Sequence, residues 1–358
     1  MERRNGSMKI KSLIKKLEKK FSKNIAESWD NVGLLVGDED REITKVQISL
    51  DATEEVIDHA IEIGANLIIT HHPIIFSGIK NVTSKNLIGR KLLKLIENKI
   101  AVYSMHTNLD SAKSGLNQYI SEKLGVKTSK ILDEKNMDMY LLSVYIKVEF
   151  EERLKSKIEE FGLEYNGYKN VYYTSNSMES FEKIGEQEKS KNKNKKISIL
   201  GEKGKLSNLL NEIKKIHPYD EVGYEMIKTE NKISLGGLGR IYSLSEGIEL
   251  GRYLEVVKDK LSLNNVRVVG ELDKKIKKIA VVNGGGASFL GKLEKIGVDL
   301  FITGDIKYHE ALDAREVGIS IFDIGHYESE YFFTDIIERY CDDLEVEIYN
   351  DQPVFKSL

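Results

Sequence analysis

The chain has 358 residues, 41% of them hydrophobic, which is enough to bury the cores of two compact domains and excludes a disordered chain. Its 54 basic and 57 acidic residues leave a net charge of -3, so no global attraction draws it to nucleic acid or to an anionic membrane. Cys341 is the only cysteine; this excludes an internal disulfide and a cysteine-cluster zinc site, points to a reducing compartment, and leaves His and carboxylates to hold any metal.

Met1 to Ser7 read as a tag remnant or an upstream start and stand outside the fold reasoning. An amphipathic helix begins at Met8, with Ile10, Leu13, Ile14 and Leu17 at helical spacing. The opening stretch lacks the continuous apolar run of a signal peptide. No later run approaches the roughly 20 apolar residues of a membrane span, so a cytoplasmic protein is expected.

From Lys45 the pattern predicts a strand over Val46–Leu50, a helix over Glu54–Gly64 and a strand over Asn66–Thr70 that runs into His71-His72-Pro73. A third strand, Ile100–Met105, leads into His106 and Asp110, and a helix follows over Ser114–Leu124. Such alternation predicts a sheet with helices packed on it, an α/β fold. The last third repeats the arrangement. Strand Ile276–Val282, a Gly284-Gly285-Gly286 loop, helix Ser288–Gly297, strand Leu300–Thr303, helix Tyr308–Val317 and strand Ile319–Phe322 precede His326. Residues 63–70 match residues 296–303 at five of eight positions, and His106/Asp110 and His326/Glu330 share a spacing of four. These likenesses predict a duplicated strand-helix core whose equivalent strand ends carry the functional residues; a different strand order in the two halves would make them coincidence.

Between the halves the expected order is strand, helix, strand, strand, helix, strand, the split plan of a ferredoxin-like α+β insert. The domain expectation is therefore a discontinuous core, 8–126 and 245–358, interrupted by an insert at 127–244. The Lys/Asn/Ser-rich tract Glu186–Lys196 within it reads as a solvated hairpin tip.

His71 and His72 are adjacent in extended backbone, so their side chains diverge and suit two neighbouring ions better than one; alone they read equally well as surface histidines. Asp110 and Glu330 add hard oxygen ligands, and a carboxylate can bridge two ions. His326 and Glu330 lie four apart, so a helix starting there presents both on one face. The metal set is thus His71, His72, Asp110, His326 and Glu330, holding two divalent ions: zinc, iron or manganese. His106, His309, Asp305 and Glu310 are the candidate catalytic residues, and Asp51 a further supporting one; each could equally cap a helix or face solvent. His59 and His217 stay outside the site. Gly286 to Lys292 has phosphate-loop spacing, but Leu293 occupies the place of the magnesium-binding hydroxyl, and Gly284-Gly285-Gly286 lacks a dinucleotide fingerprint.

Ser28-Trp29-Asp30-Asn31-Val32-Gly33-Leu34, Asp51-Ala52-Thr53, Thr70-His71-His72-Pro73, His106-Thr107-Asn108-Leu109-Asp110, Thr303-Gly304-Asp305, Tyr308-His309 and Gly325-His326-Tyr327-Glu328-Ser329-Glu330 resemble the signatures of the NIF-three-like family, whose members carry the label GTP cyclohydrolase 1 type 2 homolog. The resemblance spans nearly the whole chain. It implies two metal ions on the five residues above and a toroidal homohexamer with its sites facing inward. It also implies a PII/CutA-like insert, because His217-Pro218-Tyr219-Asp220-Glu221-Val222 resembles that module's signature. The function expected is metal-dependent hydrolysis of a nucleotide-like or cyclic amide small molecule. The alternative is a non-enzymatic assembly that stores or delivers metal or senses a ligand. Neither a membrane nor a nucleic acid is expected as a partner.

Overall fold

A computed structural model describes residues 8–355 apart from 166, 183 and 185–188. It divides into two compact units: residues up to Glu134 together with those from Gly236 onward, and Lys135–Leu235. The leading segment Met1–Ser7 and part of the lysine-rich tract, 186–188, lie outside the described residues.

The first unit contains two sheets. In one the order is Gly33–Val36, Ala101–Ser104, Leu67–Thr70, Val46–Ser49, Val346–Ile348. The three central strands are parallel, and Gly33–Val36 runs antiparallel beside the third. Strands Val46–Ser49, Leu67–Thr70 and Ala101–Ser104 are buried at every residue; Leu67–Ile69 and Ala101–Tyr103 accordingly read as short unbroken apolar runs, whereas Val46–Ser49 also buries Gln47 and Ser49. The helices Glu54–Glu62 and Leu87–Glu97 contribute Val56, Ile57, Leu92 and Leu95 to the core of this half, which also holds Ile68 and Val102.

The other sheet of this unit follows the order Arg267–Val269, Ser320–Asp323, Leu300–Gly304, Lys275–Gly285, and then the Gly236–Glu249 stretch of strand Tyr224–Glu249. Lys275–Gly285, Leu300–Gly304 and Ser320–Asp323 are parallel, and Arg267–Val269 runs antiparallel beside the third. The order of the two sheets therefore agrees over four strands, including the antiparallel edge. The fifth differs in sense: Val346–Ile348 is parallel to its neighbour, whereas Tyr224–Glu249 is antiparallel to its own. The glycine turn predicted after Val282 is instead partly strand, which extends to Gly285.

The second unit is an antiparallel sheet in the order Tyr224–Glu249, Lys130–Lys147, Lys189–Glu202, Tyr172–Glu182, with helices Glu151–Phe161 and Lys203–Ile216 packed through Leu154, Ile158, Leu206 and Ile213. A short hairpin pairs Glu164–Tyr165 with Tyr168–Lys169. The lysine-rich tract is not a hairpin tip over its described part. Lys189 to Lys196 pair with Ser175 to Glu182 in register, so ladder pairing overrides a composition that favours a loop. Among the described residues no helix is long and apolar enough to cross a membrane.

Candidate metal centre

The central parallel strands of both sheets in the first unit end at one place, and the polar residues just beyond them meet there. His71 and His72 follow Leu67–Thr70, and both backbone N–H groups donate to the Leu50 carbonyl, at 3.2 and 3.0 Å. His106 follows Ala101–Ser104, and Asp110 lies on the five-residue helix Thr107–Ser111. From the other sheet, Asn283 and Gly284 lie near the end of Lys275–Gly285, Asp305 follows Leu300–Gly304, and His326 and Glu330 bound the helix after Ser320–Asp323.

The imidazoles share one arrangement. Nδ1 of His71 donates to the Met105 carbonyl (2.8 Å), that of His72 to Asp51 (3.0 Å), that of His106 to Asp30 (2.9 Å) and that of His326 to Asp305 (2.6 Å). Each ring is thereby held with Nε2 turned into the cluster, the nitrogen a metal ion would take in place of a proton. Nε2 of His72 and of His326 each lie 2.9 Å from Glu330 Oε2 and 3.4 Å from one another. Nε2 of His71 lies 3.6 Å from Asp110 Oδ1 and 3.6 Å from Glu330 Oε1. Thus the two oxygens of Glu330 face different histidines, the geometry of a bridging carboxylate. The sets His72/His326/Glu330 and His71/His72/His106 are each close enough to hold an ion.

Three further observations test whether a cation fits. His71 Nε2 and Glu330 Oε2 are buried and make no aligned hydrogen bond, an arrangement that costs roughly 1–3 kcal/mol per neutral group and more for a charged one unless something satisfies it. His71, Asp110 and Glu330 are almost fully buried, where two carboxylates repel strongly. Their electrostatics carry that strain. Burial and the neighbouring Glu330 push the Asp110 pKa up, while Glu330 is held well below the usual carboxylate range because His71, His326 and His72 outweigh its burial. Burial opposes a charge on His72, yet Asp51 and Glu330 raise its pKa to about 10; Glu330 and Asp305 raise His326 to about 9. Imidazole and carboxylate donors of this kind suit divalent zinc, iron or manganese.

Several supporting residues were not singled out by the sequence. Asn283 donates through Nδ2 to both Asp110 (2.9 Å) and Glu330 (3.0 Å), and Asn117 holds Asn283 in turn by two hydrogen bonds. Asp30 accepts from His106, from the Thr107 backbone and from the Thr107 hydroxyl, which together overcome its burial and lower its pKa to about 2. Gly284 adopts φ +61°, and a Cβ there would sit 2.4 Å from Glu330 Oε1, so only glycine leaves room for that carboxylate. Of the candidate catalytic residues, His106 stands inside the imidazole cluster, 5.2 Å from His71 and 5.5 Å from His72 between ring centres, and Asp305 anchors His326. The other two are placed differently: Glu310 accepts from the Lys307 backbone and closes the first turn of its helix, and His309 is exposed with its ring beside Tyr308. His217 is satisfied on both ring nitrogens by Tyr145 and Tyr219 backbone groups.

Fold and site together define a mixed α/β protein whose clustered histidines and glutamate could hold metal ions. Residues 8–353 match the profile of Duf34/NIF3 (NGG1p interacting factor 3), and the chain belongs to this family. It is 33% identical to a Staphylococcus epidermidis protein named GTP cyclohydrolase 1 type 2 homolog, over 98% of this chain and 97% of that one. A Staphylococcus aureus protein of the same name is 37% identical over 90% of each. The solved structure of a Bacillus cereus protein related to NIF3 matches with a TM-score of 0.83 and 30% identity, covering 99% of this chain and 100% of that one.

Proposed function

We propose that this protein holds two divalent metal ions on His71, His72, Asp110, His326 and Glu330 and is a metal-dependent hydrolase of a nucleotide-like or cyclic amide small molecule. The observation that carries the reading is the set of imidazoles anchored at Nδ1 and turned through Nε2 toward two buried carboxylates. Bound divalent ions supply Lewis-acid polarisation and acidify water near neutral pH, which suits attack on a carbonyl carbon or a phosphorus centre. Glu330, held by Asn283 and the helix His326–Glu330, would offer one oxygen on the His71 side and the other on the His72 and His326 side. Asp51 and Asp305 orient His72 and His326. His106, its Nδ1 held by Asp30, offers Nε2 for carrying a proton beside the ions. Hydrolysis of a nucleotide ring is in keeping with the relatives' name.

The agreement of strand order in the two core sheets supports duplication of one unit. The strand-helix-strand-strand-helix-strand order of Lys135–Leu235, together with its sheet order, supports a ferredoxin-like insert of PII/CutA type within a discontinuous core. The assembly proposed is a cytoplasmic homohexamer on the family's toroidal plan.

Elemental analysis of untagged protein tests the site. Near two ions per chain in the parent and a loss in Asp110→Ala and Glu330→Ala, with circular dichroism retained, is the expected result. Unchanged metal content in both variants removes the reading. Two ions without turnover across a screen of nucleotides and cyclic amides would replace the hydrolase with metal storage or delivery.

A further inference from the structure

Trp29 is the one tryptophan of the chain, and 58% of its surface is exposed; Phe76, 56% exposed, lies beside it with ring centres 5.9 Å apart. Both rings stand against His106, at 5.9 and 6.4 Å, with ring planes inclined at 71° and 65° to the imidazole. A large aromatic side chain leaves water readily, so two of them kept adjacent and uncovered at the rim of a polar site need an occupant. Their backbone is not loose. Asn31 Nδ2 donates to the Ile75 carbonyl at 2.6 Å, tying the Trp29 turn to the Phe76 segment, and Asp30 grips His106 and Thr107. The pair is therefore presented in advance of any ligand, a condition for binding without an ordering cost.

We propose that Trp29 and Phe76 form a stacking platform for a planar heteroaromatic ring, and that the substrate is a small molecule that carries such a ring. This rests on the metal-hydrolase reading above and adds its substrate class. Indole and phenyl faces favour offset stacking with planar rings, and such stacking tolerates many ring identities. Reach fits as well: the Trp29 ring lies 5.9 Å from that of His106, which lies 5.2 Å from that of His71. A one- or two-ring molecule seated on the platform brings its edge to the imidazole cluster, whereas an aliphatic substrate gains little from either ring face.

Because Trp29 is the only tryptophan, its fluorescence reports on the platform directly, without turnover. The probe is guanosine 5′-monophosphate, with ribose 5-phosphate as the ringless control. Saturable quenching by the nucleotide, absent with the control, is expected. Phe76→Ala should weaken the apparent Kd at least about fivefold, and Phe76→Tyr should keep it within about twofold of the parent. Quenching no greater than the control's, or unchanged in Phe76→Ala, overturns the platform. So does a buried-indole emission in free protein that shifts red on dilution, because Trp29 would then be covered by a second copy of the chain. Elemental analysis of the same preparation separates the two readings. Saturable quenching in protein that takes up no metal rejects the metal site and keeps the platform; full metal without quenching rejects the platform alone.

Discussion

Asn283→Leu exchanges side chains of nearly the same shape, so its effect isolates polar contacts from packing. The amide gives one hydrogen bond to each of the buried carboxylates Asp110 and Glu330, at 2.9 and 3.0 Å, and its oxygen accepts from Asn117 at 2.6 Å. Hydrogen bonds to charged groups contribute about 1.5–3 kcal/mol each and a neutral one about 0.5–1.5 kcal/mol. Burying a leucine instead returns about 1–2 kcal/mol. Net destabilisation of about 3–5 kcal/mol is expected in metal-free protein, read from urea unfolding in the presence of chelator with the slope held common. Both carboxylates also lose the group that orients them, so competitive zinc titration should find affinity reduced at least about tenfold. Asn283→Asp provides a second arm: a third carboxylate among two others is tolerated only when protonated, so this variant should be nearer the parent at pH 5 than at pH 8. A loss below about 1 kcal/mol together with unaltered zinc affinity in Asn283→Leu would refute the bridging role.

Gly284→Ala should reduce metal affinity at least about tenfold, because the new Cβ falls 2.4 Å from Glu330 Oε1 and displaces it, with a backbone cost of only about 1 kcal/mol; unaltered affinity by the same titration would contradict this. Arg240 is buried with its guanidinium spread over the carbonyls of Gly237, Gly239, Ala112 and Lys113 and the side chain of Gln118, so Arg240→Met should cost about 3 kcal/mol in urea unfolding, and Arg240→Lys, which lacks the planar fork, should not restore it. Burial, with Asp51 adding, raises the Asp351 pKa to about 6 against about 3.9 in an unfolded chain. The folded state therefore binds the extra proton between those values: this contribution to stability is full below about pH 4 and is lost as pH rises through 6, a difference of about 3 kcal/mol. Asp351→Asn keeps an acceptor for the Leu50 N–H and cannot ionise, so its melting temperature relative to the parent should rise between pH 4 and pH 8; a flat difference would show that Asp351 does not titrate in this way.

How much could be seen in advance follows from the range of each signal. Leu67–Thr70 and Ala101–Ser104 are buried at every position, so they appear as apolar runs, and the polar residues directly after them stand out. The four-residue step from His326 to Glu330 is equally local, and the short helix between them brings both to one place. Asn283 offers no such cue: beside Gly284 it reads as a turn residue, and only the strand's extension to Gly285 turns it inward between two carboxylates. Asp30 lies in irregular chain and its partner His106 is 76 residues away, a pairing without any periodicity. Glu310 and His309 sit near a strand end just as Asp305 does, but one is spent on a helix start and the other faces solvent. The compact units change inside the strands Lys130–Lys147 and Tyr224–Glu249, at the charged run Asp133–Lys135 and at Gly236-Gly237, and because each strand continues through its join these cues do not read as a linker.

The residues proposed as ligands stretch from His71 to Glu330, with the whole of Lys135–Leu235 intervening. During synthesis from the amino end, His71, His72 and Asp110 emerge long before the carboxylate that joins them. A chain stopped before His326 would carry His71, His72, His106 and Asp110 but neither His326 nor Glu330, so the proposed two-ion set would be incomplete. On the proposed reading, an ion held by this set would staple the segments on either side of Lys135–Leu235 to each other.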